Sequence, residues 1–110
     1  MPITMQTIAN TPTPPYFAVI FTSIRTDGDI EFGSVSNRML ERASQQEGFL
    51  GFETARQEIG ISVSYWSSLE VIQNWKKNAE HRETQQSANK WYSRFCIRVC
   101  RVEKEYGMLF

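Results

Sequence analysis

Gly60 to His81 reads GISVSYWSSLEVIQNWKKNAEH, a strand that runs directly into a helix. Ile61, Val63 and Tyr65 alternate with Ser62, Ser64 and Trp66, the period of two that a pleated strand requires. Ser67 or Ser68 then offers a side-chain oxygen to the first free N–H groups of a helix, with Glu70 in its first turn. Leu69, Ile72, Trp75 and Ala79 follow at steps of three and four, which places them on one helical stripe. Two of the three tryptophans and the single histidine fall within this unit, so any chemistry is to be sought here or in a pocket that it walls.

Working back toward the N-terminus, Phe49 to Gln57 reads as a strand, and Glu58-Ile59-Gly60 turns it into the next as a hairpin. Before it, Glu31 to Gln46 carries Phe32, Val35, Met39 and Ala43 within a narrow arc, the pattern of a helix. Gly33 weakens its first turn by up to about 1 kcal/mol, and Gly48 fits the left-handed position past its end. Tyr16 to Ile24 is a strand with Phe17, Val19 and Phe21 on one face and Ala18, Ile20 and Ile24 on the other. The last strand, Trp91 to about Glu103, alternates Phe95, Ile97 and Val99 against Cys96, Arg98 and Cys100. The order βαββαβ is the ferredoxin-like arrangement of the α+β class, an antiparallel sheet with its helices on one face. The expected organisation is an extended arm over 1–15, the domain over 16–106 and a short tail over 107–110.

A strand that is apolar on both faces is buried on both faces. In a chain of 110 residues one face of Tyr16–Ile24 must then meet something other than the chain's own two helices. That argues for a homodimer packed sheet on sheet. All four prolines precede this strand, at 2, 12, 14 and 15, so TPTPP reads as an extended arm, frayed or laid across the dimer partner.

Twelve basic and twelve acidic residues cancel. A net charge of zero argues against nucleic acid and against an anionic membrane surface as partners. No apolar run approaches the roughly 20 residues of a membrane span, and the N-terminus lacks a signal pattern. Cys96 and Cys100 stand about 13 Å apart along a strand, beyond the about 7 Å that a disulfide spans. Free thiols in such a chain point to the cytoplasm. One histidine and two poorly spaced cysteines do not make a metal-ligand set.

No glycine-rich phosphate loop, nucleophile elbow, HExxH or Ser-His-Asp context occurs. What remains is an aromatic-lined pocket with a few polar groups, suited to a small, flat, oxidisable aromatic ligand. His81 is the candidate catalytic residue, a neutral imidazole able to take a proton from a phenol. On an unbroken helix it falls away from the apolar stripe. A break near Asn78, whose side chain favours local backbone bonds, would turn it inward beside Trp75. Trp75, Trp66, Tyr65 and Asn78 are the candidate substrate contacts, although Tyr65 and Trp66 point to opposite faces and at most one lines a given pocket. Arg56, Arg94 and Arg98 could pair with a substrate anion.

The run SYW-SSLEVIQ-NWKKNAEH, with EGFLGFETAR before it and WYSRFCIRVCRVEKEY after it, resembles the antibiotic biosynthesis monooxygenase family. The resemblance covers roughly Tyr16 to Tyr106. It implies a dimeric α/β barrel and a cofactor-independent monooxygenase that oxidises a small aromatic or polyphenolic substrate with dioxygen. The implied steps are substrate deprotonation, electron transfer to oxygen and collapse to a hydroxylated or quinone product. The alternatives are a heme-binding or heme-degrading protein and a non-catalytic small-ligand-binding dimer. The heme-degrading branch pairs a first-strand asparagine with a helix tryptophan and a histidine about ten residues later. Trp75 matches the tryptophan, but Gln85 stands where that histidine would be and Thr22 and Ser23 where the asparagine would be.

Overall fold

The sheet is built on β1 (Tyr16–Arg25), which pairs along one edge with β3 (Gly60–Trp66) and along the other with β4 (Tyr92–Val102). β2 (Phe49–Arg56) pairs with β3, giving the order β2-β3-β1-β4, antiparallel at every junction. The computed structural model describes residues 8–26, 39–79 and 92–108. Within these, 39–44 form the helix α1 between β1 and β2, and Leu69–Ala79 form α2 between β3 and β4. The fold is ferredoxin-like, as the element order predicts.

Residues directly opposite one another across an antiparallel pair share a face. Phe17 stands opposite Trp66, Val19 opposite Ser64 and Val99, and Phe21 opposite Ser62 and Ile97. This face meets the helices: Ala43 of α1, Ile72 of α2 and Trp66 are its buried centre, with Phe17, Val19, Phe49, Val71 and Trp75 packed around them. The other face carries Ala18, Ile20 and Thr22, flanked by Tyr65, Val63 and Ile61 on β3 and by Cys100, Arg98 and Cys96 on β4. It has no helix of the described residues against it. Both cysteines are free.

Local hydrogen bonds explain where α2 begins. The Ser68 hydroxyl oxygen accepts the N–H of Val71 at 3.3 Å and so caps the helix, while the N–H of Ser67 donates to the carbonyl of Gly48 at 2.8 Å. Gly48 has φ of 89°, and a Cβ there would lie 2.7 Å from the Ser67 hydroxyl. Only glycine meets both demands. Glu70 in the first turn and Lys76 and Lys77 in the last turn complement the helix dipole. The helix runs through Asn78 to Ala79 without a break. His81, Trp91 and the beginning of the expected first helix lie outside the described residues.

Two features depart from simple alternation. β2 shifts register between Phe49 and Gly51, so Phe49 opposes Trp66 while Gly51 opposes Tyr65. That bulge returns Phe49 to the helix-facing side together with Phe52, Thr54 and Arg56. The second feature is the arm. Ala9 donates its N–H to Glu53 Oε2 at 2.8 Å, and a Cβ on Gly51 would meet the Ala9 side chain at 2.7 Å. The described part of the arm, from Ile8 on, is thus seated on the chain's own sheet, on the helix-free face and against a glycine that makes room for it.

Candidate functional site

On the helix side, β3 ends in Trp66, which is 0% exposed. Its ring meets Phe49 edge-on at 5.3 Å and stacks with Trp75 at 6.2 Å. Its Nε1–H donates to Ser64 Oγ at 2.9 Å, which meets the one polar demand of a buried indole. Asn78, one turn beyond Trp75, reaches Gln46 Oε1 at 3.5 Å and ties α2 to the turn that follows α1.

From Trp66 the same face divides lengthwise. Along β2 and β3 it carries hydroxyls: Ser64, then Ser62 and Thr54, whose oxygens lie 3.0 Å apart. This strip ends at Arg56, whose Nη2 donates to the hydroxyl of Ser23 on β1. Along β1 and β4 the face is apolar. Phe21 packs on Tyr92 at 5.2 Å and on Phe95 at 5.6 Å, and Phe95, Ile97 and Val99 remain 46, 55 and 50% exposed. The helix-facing side of the sheet thus carries an aromatic cluster at Trp66 and Trp75, one hydroxyl-bearing strip and one apolar strip, with a guanidinium at the far end.

Burial lowers the pKa of Arg56 first, and the like charge of Arg25 acts in the same direction against the pull of Tyr92. The surroundings on balance disfavour the cation. Arg94 and Arg98 point elsewhere. With Thr22, Ile24 and Cys96 they border a cavity of about 210 Å³ on the helix-free side.

That opposite side holds a second polar cluster. Tyr65 donates to Glu53 Oε1 at 2.7 Å and meets Tyr16 edge-on at 5.8 Å. The hydroxyls of Tyr16 and Thr11 both donate to Glu105 Oε1, at 2.5 and 2.6 Å. Burial, followed by the bond to Glu53, pushes the Tyr65 phenol well above its ordinary range. Burial and then the bond to Glu105 raise Tyr16 as well. Neither tyrosine is set up to lose a proton near neutral pH. Their placement pins the arm and the C-terminal segment to the sheet.

Of the residues picked out in the sequence, the structure brings together Trp66 and Trp75, with Asn78 at the rim. Trp66 is covered on all sides, so it backs Trp75 and offers no open surface of its own. Tyr65 lies on the opposite face of the sheet, as alternation requires. Residues that alternation alone did not single out are Ser62, Ser64 and Thr54, whose signal was their shared parity with Trp66 and Arg56. Among the described residues, no three metal-ligating side chains gather closely enough to hold a metal ion. Nor, among those residues, is any helix long and apolar enough to cross a membrane.

Residues 15–87 match the family model described as antibiotic biosynthesis monooxygenase, and the chain belongs to that family. It is 38% identical over 104 residues to the uncharacterized protein YqjZ of Bacillus subtilis, covering 92% of this chain and 91% of that one. Among solved structures it is similar to SnoaB, a cofactor-independent oxygenase from Streptomyces nogalater. The TM-score is 0.71 at 11% identity, over 82% of this chain and 95% of SnoaB. Rv0793 from Mycobacterium tuberculosis gives a TM-score of 0.66 at 8% identity, over 84% of this chain and 97% of that one. At such identities the likeness to the two structures is one of fold.

Proposed function

We propose that this protein is a cofactor-independent monooxygenase that oxidises a small aromatic or polyphenolic substrate with dioxygen. The observation that carries the reading is the helix-facing side of the sheet, which sets aromatic and apolar side chains suited to a flat ring beside a strip of hydroxyls suited to phenolic oxygens. Membership of the monooxygenase family supports it, and so does the fold shared with SnoaB, itself a cofactor-independent oxygenase.

The chemistry balances without a resident redox group. A phenol gives its proton to a base, and the electron-rich phenolate donates electrons to dioxygen as a bond forms between a ring carbon and one oxygen atom. The resulting hydroperoxide loses water, formed from its distal oxygen, and leaves a quinone. Four electrons leave the substrate, one oxygen atom is retained and the other departs as water. The protein supplies the base and a site that excludes bulk water. On this reading the base is His81, with Trp75 and Asn78 beside the ring, Trp66 behind it and Tyr65 supporting the sheet from the far side.

Oxygen uptake with a panel of phenols, naphthols and hydroquinones, in the presence of a chelator and without flavin or heme, tests the proposal. One dioxygen consumed per quinone formed is expected. His81→Ala should lower the rate by roughly a hundredfold, the low end for removal of a general base, without changing the melting temperature. A folded protein that consumes no oxygen across the panel, or does so only after hemin is added, rejects the reading.

A further inference from the structure

β4 is an outer strand of the sheet and lies beside β1. Alternation puts Arg94, Cys96 and Arg98 on its helix-free face, opposite Ile24, Thr22 and Ile20 of β1. Arg94 and Arg98 are four residues apart, about 13 Å between Cα atoms, and on that face only the short Cys96 stands between them. Both nevertheless border one cavity of about 210 Å³, which Thr22, Ile24 and Ile59 also line. The two long side chains therefore close on a common space over Cys96.

The charges around that space are unbalanced. None of the described residues lining it is acidic. Among the described residues, the side chains of Arg94, Arg98 and Thr22 have no hydrogen bond or ion pair. Arg101 of the same strand, by contrast, is paired with Glu103 at 2.9 Å. Two guanidinium groups sharing a cavity repel one another, and an anion between them offsets that repulsion.

The lining also selects the kind of anion. A phosphate monoester carries about −1.5 to −2 charges at pH 7 and presents three acceptor oxygens. Three donor side chains line the cavity, and a guanidinium fork matches phosphate geometry. A carboxylate, with two oxygens and a single charge, would leave part of that positive charge unmet. At about 210 Å³ the cavity is smaller than the roughly 300–1,000 Å³ of a drug-sized pocket. The ester must therefore have a small body, for which Ile24 and Ile59 offer apolar contact.

We propose that Arg94, Arg98 and Thr22 form a binding site for a small phosphate monoester on the helix-free face of the sheet. The site is separate from the aromatic cluster on the opposite face and does not depend on the reaction proposed above. A partner copy packed over the apolar groups of β1 and β3 would leave it at the margin of the contact, because β4 is an outer strand.

Amide NMR titration in phosphate-free buffer tests the site, with phenyl phosphate, inorganic phosphate and benzoate as probes. Phenyl phosphate should shift the Thr22 and Cys96 amides in a saturable way. It should bind at least about tenfold more tightly than benzoate, the size of one additional charge-assisted hydrogen bond. Arg94→Met and Arg98→Met should each weaken it by about tenfold or more. Cys96→Phe keeps both charges but fills the space between them, and it should weaken binding as much. Arg101→Met, on the other face of the same strand, should change the affinity by less than about twofold. All four positions are exposed, so the variants should fold, and circular dichroism melts establish that they do. Shifts that never saturate, phenyl phosphate no tighter than benzoate, or equal losses in Arg101→Met and Arg94→Met would overturn the site. Equal affinity for inorganic phosphate would overturn the ester and leave the free ion as the ligand.

Discussion

The indole of Trp75 lies on that of Trp66 with ring centroids 6.2 Å apart and planes 24° from parallel. The two rings hold unequal positions. Trp66 is wholly enclosed by Phe49, Trp75 and the helix residues, whereas Trp75 is half-buried and closes the stack from the helix side.

Trp66→Ala should therefore cost about 3–5 kcal/mol of unfolding free energy, the usual range for emptying an aromatic site in a core. Trp75→Ala should cost less, about 1–2 kcal/mol, because its ring is only partly buried. Urea titration of both variants gives the comparison. Ligand affinity should respond in the reverse order, falling in Trp75→Ala for want of a wall. Equal losses of stability would show that the two rings belong to one rigid core and that Trp75 is not available to a ligand.

Much of this architecture is legible in the sequence because it depends on short-range periodicity. The alternation from Ile61 to Trp66, the stripe from Leu69 through Ile72 to Trp75, and a glycine at position 48 each follow from neighbours within one or two turns. The choice between Ser67 and Ser68 does not, since both have the right chemistry. The N–H of Ser67 is taken by Gly48, and the cap falls to Ser68. Long-range pairings are hidden for the same reason. Arg56 and Ser23 are 33 residues apart, and their meeting depends on strand order and on the absence of a side chain at Gly60. The bulge beside Leu50 likewise has no local marker beyond Gly51. The seat of the arm was equally unforeseeable, because proline predicts an extended arm but not the surface it lies on.

That seat should respond to pH. Bonds from Thr11, first, and Tyr16 hold the Glu105 carboxyl below its ordinary value of 4.5. A folded value below the unfolded one gives stabilisation that is complete above pH 4.5 and is lost as the pH falls through the depressed folded value. Tyr16 is raised above 10.0, so its contribution is complete below pH 10.0 and is lost as the pH rises through the folded value. The arm should be held most firmly between about pH 5 and 9. Hydrogen exchange at the Ala9 amide, corrected for its intrinsic pH dependence, reads this directly. Protection should fall on acidification in the parent protein and fall less across the same range in Glu105→Gln. Identical acid profiles in the two proteins would mean that Glu105 does not secure the arm.

The last prediction concerns the face that the helices leave open. Ala18, Ile20, Ile61 and Val63 form an apolar band across β1 and β3 there, continued by Ile24, and Ile24 and Ile61 are 40 and 45% exposed. The arm and the Tyr16–Tyr65 pair occupy one end of this face. The other end, around Ile24 and Ile61, carries apolar groups that a monomer would leave in water. Burying such a band against its own copy recovers roughly 25 cal/mol for each Å² of apolar surface removed. A twofold arrangement lets one patch serve both partners. Light scattering at micromolar concentration should then give twice the chain mass of 12.8 kDa. Ile61→Glu would place a carboxylate in the buried part of the band, and desolvating it without a partner charge costs several kcal/mol. That variant should run as a monomer with its tryptophan core intact, seen as an unchanged near-ultraviolet circular dichroism spectrum. A parent protein of 12.8 kDa throughout the micromolar range would reject the dimer. A dimer that survives Ile61→Glu would move the interface to another surface.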